Sequence, residues 1–184
     1  MIFLTSDTHF GHDKIFLYEP RGFTNIQEHD AQIIKNWNEV ISYCDDVYHL
    51  GDVMLGDNEH GLKCLKQLNG KIHIIYGNHC TDARRTLYES CYNVVEVVDA
   101  KRLKYNGYHF YLSHYPTLTG NLERESLKRM TLNLYGHTHQ KTNFYEDRPY
   151  MYHVGVDSHN CYPVALDTII EDMKNKVKEC IDFL

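Results

Sequence analysis

The sequence lacks long hydrophobic runs, and its first residues do not predict a secretion signal. No stretch of its 184 residues approaches the ~20 consecutive apolar residues of a membrane-spanning helix. The apolar start at residues 1–4 gives way to Thr5, Ser6 and Asp7, which is too early for the core of a signal peptide. We therefore expect no membrane association and a cytoplasmic protein.

Closely spaced cysteines and basic clusters are also missing. The six cysteines include no C-x-x-C pair, which argues against a zinc ribbon and against a disulfide scaffold. The net charge is -6, and no run of Lys or Arg exceeds a pair such as Arg84 and Arg85. Because proteins that bind duplex nucleic acid carry basic patches, we expect no such partner, and a nuclease is the weaker alternative.

The remaining composition is that of an ordinary globular chain. Apolar residues make up 42% of the sequence, and the chain has four prolines and no linker, repeat or low-complexity segment. These features predict a single domain spanning residues 1–184 around one core.

The first half of the chain alternates strand-like and helix-like segments. Short apolar runs without helical period predict strands at residues 2–6, 47–50 and 72–76. Helical spacing predicts a helix at residues 25–43, opened by a capping box of Thr24 and Gln27, and a second one that ends at Asn69. This order predicts an α/β sheet of parallel strands with helices over its faces.

The second half is richer in strands and closes with a helix. Strands are predicted at residues 94–98, 102–105, 108–113, 132–135 and 151–156. Asn106 and Gly107 between two of them indicate a type I′ hairpin. Asp167 is the predicted cap of the closing helix. The inward positions of that helix are Ile169, Ile170, Met173 and Val177.

Histidine is abundant, with thirteen in the chain, and several follow predicted strands. Five apolar runs end in side chains able to bind metal: Asp7 and His9, Asp52, Asn78 and His79, His114, and His137 and His139. Each alone is ordinary, because Gly-Asp and Gly-Asn are common turns. Open α/β sheets, however, place their sites outside the carboxyl ends of the strands, so the five together predict one shared pocket.

The pattern D-x-H, G-D, G-N-H, H and G-H-x-H over residues 2–139 resembles the calcineurin-like metallophosphoesterases. The resemblance implies an α/β fold of four layers, an αββα sandwich in which mixed β-sheets are flanked by helices. It also implies a hydrolase acting on a small phosphodiester or phosphomonoester. The diester is favoured, and a nucleotide-like substrate is one option.

The resemblance further implies two bound divalent metal ions. One is held by Asp7, His9 and His139, the other by Asn78, His114 and His137, and Asp52 bridges the two. Cations about 3.5–4 Å apart need an anion between them, which a carboxylate supplies. Nitrogen and oxygen ligands without thiolate suit Mn, Fe, Zn, Co or Ni. A hydroxide shared by the ions would attack phosphorus in line, with His79 assisting the leaving group.

One position departs from the pattern, and four further side chains are candidates for substrate contact. Cys80 stands where many relatives carry an acidic residue that orients the preceding histidine. Either Asp82 or another carboxylate replaces that residue, or His79 acts without an acidic partner. The substrate-contact candidates, each with a structural role as the alternative, are His12, Arg21, Arg84 and Tyr115.

Two other functions stay open on the sequence alone. One is a non-catalytic scaffold of the same fold, and the other is a domain with a single structural metal. Scaffold members of such families typically lose His79 or several ligands, whereas all are present here. A strand edge at residues 94–98 would also allow a homodimer.

Overall fold

The computed structural model describes residues 1–124 and 126–182, which contain nine strands, five α-helices and four short 3-10 helices. The strands are β1 (Ile2–Thr5), β2 (Asp46–His49), β3 (Lys71–Ile75), β4 (Val94–Val98), β5 (Lys101–Tyr105), β6 (Tyr108–Leu112), β7 (Thr131–Tyr135), β8 (Met151–His153) and β9 (Val164–Ala165). The helices are α1 (Ile15–Tyr18), α2 (Ile26–Val40), α3 (Asn58–Leu65), α4 (Asp82–Glu89) and α5 (Leu166–Asp182). None of these helices has the length and apolar character needed to cross a bilayer.

The first sheet has the strand order β4-β3-β2-β1-β9. Strands β1 to β4 pair in parallel with their neighbours, and β9 closes the sheet antiparallel to β1. The predicted alternation of strand, helix and strand is therefore confirmed for β1, β2 and β3. Strand β4 is the outer edge, with Val95 exposed, and the homodimer through this edge stays a prediction.

The second sheet has the order β5-β6-β7-β8. Its first two strands form the predicted hairpin, with Asn106 at φ 48° and Gly107 at φ 82°. Positive φ at both central residues is what a type I′ turn requires. Strands β6, β7 and β8 pair in parallel, so this sheet is also mixed.

Alternate residues of the first sheet point into two hydrophobic clusters. Ile72 and Ile74 pack with Trp37 of α2 on one face, and all three are fully buried. On the other face Leu4 packs with Phe110 of the second sheet, and α5 joins this cluster. Each fully buried aliphatic side chain contributes about 1.5–3 kcal/mol. The predicted class, an α/β fold of two mixed sheets flanked by helices, is confirmed.

Several predicted boundaries are wrong, for local reasons. Helix α2 ends at Val40 rather than at residue 43, and its cap is Asn25, whose side chain accepts the Glu28 N–H at 2.8 Å. Glu28 accepts the N–H of Thr24, the residue before the cap, so Asn25 and Glu28 take the place of the predicted pair Thr24 and Gln27. Asp167 is the second residue of α5 and lies inside its first turn.

Three elements were not predicted from the sequence. Helix α1 has only four residues and no side-chain cap. Tyr88 is the one buried residue of helix α4, so its sequence has no apolar stripe from which a helix could be predicted. Strand β9 has two residues, which is shorter than any periodic signal.

Candidate metal centre

The seven predicted ligands lie together where the carboxyl ends of strands from both sheets adjoin. Those from the first sheet follow β1, β2 and β3, and those from the second follow β6 and β7. A backbone bridge between Ser6 and Gly155 joins the two sheets beside them. The five strand ends therefore converge across a sheet-to-sheet junction rather than along one sheet.

Three ligand atoms form a first group. The Nε2 atoms of His9 and His139 are 3.2 Å apart, and they lie 4.0 and 3.9 Å from Asp7 Oδ1. Asp7 Oδ2 accepts hydrogen bonds from the Ser6 hydroxyl and the His137 N–H, whereas Oδ1 is buried without a partner. Burial raises the pKa of Asp7 and lowers that of His9. A divalent cation would satisfy this group of donors.

A second group surrounds the amide of Asn78. Its Oδ1 lies 2.7 Å from His114 Nε2 and 2.9 Å from His137 Nδ1. His114 Nδ1 lies 2.8 Å from the carbonyl oxygen of Leu50, which only accepts, so Nδ1 carries the proton. In a neutral ring Nε2 then has a lone pair, and that lone pair faces Asp52 Oδ2 at 3.5 Å. Facing acceptors at this distance fit a bound cation.

The Asp52 carboxylate lies between the two groups. Its Oδ2 is 3.5 Å from His114 Nε2 on one side and 3.9 Å from His9 Nε2 on the other. Its Oδ1 accepts the backbone N–H of His79 at 3.0 Å, which fixes the orientation of the carboxyl. The side chain is only 2% exposed.

Five of the seven predicted ligands have left-handed backbone conformation. These residues are Asp7, His9, Asp52, His137 and His139. Their φ angles lie between 49° and 68°. Non-glycine residues adopt this region at a cost, and such strain concentrates at functional sites. The backbone is thus bent at these positions to direct several side chains to one point.

Most of the chain matches a known protein family. The model of the calcineurin-like phosphoesterase superfamily domain matches residues 1–159. The chain belongs to the calcineurin-like phosphoesterase superfamily. Proteins of this family typically use divalent metals, and the described residues provide groups able to hold them.

Two relatives and one solved structure match nearly the full chain. The uncharacterized protein MJ1445 of Methanocaldococcus jannaschii is 35% identical over 195 residues, which cover 100% of this chain and 97% of that protein. The Gene 66 protein of Mycobacterium phage D29 is 28% identical over 202 residues, covering 97% and 98%. The crystal structure of AQ665 from Aquifex aeolicus, a protein of unknown function, has a TM-score of 0.72 and 26% identity, covering 93% of this chain and 98% of that one.

Two glycines of this phosphoesterase domain permit the close approach of backbone to the candidate ligands. A Cβ at Gly77 would lie 2.2 Å from Asp52 Oδ1, and one at Gly136 would lie 2.6 Å from Asp7 Oδ2. Both distances are shorter than any tolerated contact, so a side chain at either position would displace a carboxylate. The motif glycines therefore have a packing role that the sequence pattern alone does not state.

We expect Gly77→Ala to lower metal affinity by about 10–100-fold, because the added methyl group must push the Asp52 carboxylate out of position. Isothermal titration of the metal-free protein with Mn measures this loss. Gly120→Ala is the matched control, since a Cβ there meets nothing within 4 Å. Equal affinity in the two variants would contradict the packing role of Gly77.

Asp157 contacts a predicted ligand of the candidate centre, although no sequence motif pointed to it. It lies in a short 3-10 turn after β8, and its Oδ2 is 2.9 Å from His139 Nδ1. Arg21 donates to both of its carboxylate oxygens, at 3.0 and 2.8 Å. Burial alone would raise the pKa of Asp157, but the hydrogen bonds from His139 and Arg21 hold it below its ordinary value. A carboxylate on Nδ1 leaves Nε2 of His139 free toward the first group.

Arg21 corrects one sequence prediction. It was a candidate for substrate contact, but its side chain is 1% exposed. Besides Asp157 it donates to the backbone oxygen of Asp7 at 2.9 Å and contacts His29 Nε2 at 2.8 Å. A guanidinium enclosed in this way matches the structural role that was the alternative for Arg21.

We expect Asp157→Asn to weaken metal binding and activity by about 10–100-fold, because the amide orients His139 less firmly than a carboxylate does. Titration calorimetry with Mn and steady-state kinetics measure the two effects. Asp147→Asn, which removes the same charge from an exposed surface carboxylate, should change neither. The account fails if Asp157→Asn and Asp147→Asn behave alike.

His79 lies beside the two groups without joining either. Its Nε2 is 4.0 Å from Asp52 Oδ2, and its side chain is 43% exposed. Asp82, which was considered as its acidic partner, instead accepts from the Tyr76 hydroxyl at 3.5 Å. Cys80 is buried and its Sγ accepts the Gly77 N–H at 3.2 Å, while burial raises its pKa. Cys80 is therefore a packed thiol.

The other three substrate-contact candidates differ in position. The His12 ring lies 5.7 Å from that of His9 and faces an open cleft. Tyr115 is half exposed, with its ring 5.1 Å from His114 and 4.7 Å from His137. Arg84 contacts the backbone oxygen of His79 and donates to Asn58, so it holds the loop that carries His79. Their contact with substrate stays a proposal.

Proposed function

We propose that this protein hydrolyses small phosphate esters at two divalent metal ions, with His79 assisting departure of the leaving group. Asp7, His9 and His139 would hold one ion, and Asn78, His114 and His137 the other. Asp52 would bridge them. When bound, the ions would lower the pKa of an attacking water and neutralise the phosphoryl oxygens.

The position of a single oxygen atom carries this proposal. Three imidazole Nε2 atoms surround Asp52 Oδ2, those of His114 at 3.5 Å, His9 at 3.9 Å and His79 at 4.0 Å. One histidine comes from each ligand group, and the third belongs to neither. A carboxylate in this position can neutralise two cations and leave the third ring beside the reacting phosphate.

The chain itself supplies orientation and proton transfer. Asp157 and the Leu50 carbonyl fix which nitrogen of His139 and His114 faces inward. His79 is partly exposed, so its imidazole can exchange protons with solvent and donate one to a departing alkoxide. The absence of an acidic partner within hydrogen-bond distance, among the described residues, supports a histidine that acts without one.

The cleft beside the centre supports a substrate of modest size. It has a volume of about 370 Å³, and one wall consists of Phe16, Leu17 and Pro20. Lys141 lies on the same cleft and offers a positive charge. We propose that the phosphate lies on the metal side and that an apolar part of the substrate lies against Phe16, which suits a diester better than a monoester.

We expect Phe16→Ala to raise KM for an aromatic diester by about 2–10-fold with little change in kcat, because an aromatic contact of 0.5–1.5 kcal/mol is lost equally in ground and transition states. The Phe16 side chain is 71% exposed, so its removal should not affect folding. Exposed Tyr43→Ala is the control. An unchanged KM would remove Phe16 from the substrate site.

The test of the proposed function is hydrolysis of bis-p-nitrophenyl phosphate and p-nitrophenyl phosphate by the full chain. Each ester is assayed with added Mn, after EDTA treatment, and after Mn is restored. We expect release of p-nitrophenolate that EDTA abolishes and Mn restores, and a higher kcat/KM for the diester.

Two outcomes would contradict the proposal. No release from either ester under any metal would favour the non-catalytic scaffold. Metal bound at one equivalent per chain, with no response to further Mn, would favour a single structural ion. A preference for the monoester would leave the chemistry intact and reverse the substrate assignment.

A further inference from the structure

A second cluster of metal-ligating side chains lies on helices that cover the first sheet, and it shares no residue with the centre described above. It consists of the Asp30 carboxylate on α2 and the His60 imidazole and Cys64 thiol on α3. Their ligand atoms all lie within 4.8 Å of one another. We propose that this cluster is a separate binding site for one Zn²⁺ ion.

The geometry of the three donors supports a shared cation. His60 Nε2 lies 2.9 Å from Asp30 Oδ2 and 3.4 Å from Cys64 Sγ. One ring nitrogen can complete a hydrogen bond in only one direction, so it cannot serve both partners well. A cation between the three atoms accepts a lone pair from each. His60 and Cys64 are four residues apart on one helix, which places them on the same face.

The surroundings of Asp30 are arranged as they are around metal-binding carboxylates. Arg21 can only donate, and it contacts His29 Nε2 at 2.8 Å, so the proton of His29 lies on Nδ1. That Nδ1–H donates to Asp30 Oδ1 at 2.7 Å. Gly11 N–H donates to Oδ2 at 2.9 Å, which leaves a lone pair of Oδ2 toward His60. Asp30 is 2% exposed, and these hydrogen bonds fix the orientation of its carboxyl group.

The donor set selects the kind of ion. One thiolate, one imidazole and one carboxylate suit Zn²⁺, whose tetrahedral sites accept such ligands, and suit Mg²⁺ or Ca²⁺ poorly. Three protein ligands leave a fourth position open. The His60 side chain is 40% exposed and borders a cleft of about 420 Å³, through which an ion and a water can enter.

Binding must remove the thiol proton. Burial, with the nearby charges of Asp30 and Asp57, raises the pKa of Cys64 to about 12. When the ion binds, the S–H bond breaks, a sulfur–zinc bond forms, and the proton leaves to solvent without any change of oxidation state. A divalent charge beside the sulfur supplies the stabilisation that the metal-free cluster lacks.

The site is connected to the candidate metal centre through Arg21. That guanidinium contacts His29, which holds Asp30, and it also donates to Asp157, which holds His139. A second link is the Gly11 N–H, which is bonded to Asp30 and lies on the loop that carries His9. An ion bound at the second site would therefore fix this loop. The proposal does not rest on the proposed hydrolysis.

Cobalt is the probe that distinguishes the two sites. Co²⁺ bound to a thiolate gives a sulfur-to-cobalt charge-transfer band in the near ultraviolet, and the proposed binuclear ligand set contains no thiolate. We expect the full chain loaded with Co²⁺ to show this band, Cys64→Ser to lose it, and Zn²⁺ to abolish it by displacement. His60→Ala changes a partly exposed residue. It should weaken the affinity for Co²⁺, measured from the growth of this band, by at least about 10-fold.

Cys80→Ser is the control, because Cys80 is the buried thiol next to the candidate metal centre. The band should survive in this variant and in Asp52→Asn, even where ester hydrolysis is lost. A band that disappears with Cys80→Ser but remains in Cys64→Ser would overturn the proposal. So would bound Co²⁺ without any such band in the unmodified protein.

Discussion

His79→Ala should lower kcat for phosphodiester hydrolysis by about 10²–10⁴-fold while metal binding stays unchanged. The His79 imidazole lies 4.0 Å from the Asp52 oxygen but belongs to neither ligand group, so its loss removes a proton donor and not an ion. The loss should be larger for a poor leaving group than for p-nitrophenolate, because a weakly basic leaving group needs little protonation. Steady-state kinetics on phenyl and p-nitrophenyl diesters measure this difference.

His109→Ala is the matched control for this prediction, since His109 is an exposed histidine on β6. Its kcat should equal that of the unmodified protein. If His79→Ala retained full kcat, or lost the same factor with both leaving groups, His79 would not act as the proton donor. A loss of bound metal in His79→Ala would instead make it a ligand.

Asp52→Asn should lower kcat/KM by about 10³-fold or more, because loss of one ion removes several kcal/mol of transition-state stabilisation. The substitution keeps the shape of the side chain and removes the negative charge that both ligand groups share. We expect the metal content, measured by inductively coupled plasma mass spectrometry, to fall with the activity. High Mn concentration should restore part of the lost activity.

Asp13→Asn provides the comparison for Asp52→Asn. Asp13 is an exposed carboxylate on the loop after His9, so the control removes one charge near the same centre without touching a ligand. Its metal content and kcat/KM should be unchanged. Full activity in Asp52→Asn, or an equal loss in Asp13→Asn, would refute a bridging role for Asp52.

Much of the fold follows from patterns that are local in the sequence. Strands β1, β2 and β3 are buried on both faces, so their sequences are largely continuous apolar runs. The helices between them impose parallel pairing. The hairpin follows from Asn106 and Gly107 at the two central positions of the turn. Both positions require positive φ, which few residue types other than Asn, Asp and Gly adopt readily. Helix α1 spans little more than one turn and strand β9 has two residues, so neither element left a comparable periodic signal.

The candidate site likewise has features that could be predicted from local sequence and features that could not. The convergence of the predicted ligands could be inferred from the sequence because each follows a strand, and parallel strands end at one edge. Asp157 was not readable, because it lies in a 3-10 turn and contacts His139 only through the packing of the two sheets. Arg21 was placed near the substrate on sequence proximity alone, whereas its burial between Asp7 and Asp157 depends on the tertiary fold.

The cluster of Asp30, His60 and Cys64 shows why composition could not reveal a second site. Zinc motifs are recognised by closely spaced cysteines, and here a single cysteine is used. The carboxylate comes from a different helix, so no spacing rule joins it to the other two. Only the packing of α2 beside α3 brings the three donors together.

The most direct test of the two-ion account is a titration of activity against bound Mn, starting from metal-free Cys64→Ser protein to exclude the second site. The account predicts that diester hydrolysis rises until two ions are bound per chain and is nearly absent when only one is bound. Full activity with one ion bound, or no hydrolysis with two, would contradict it.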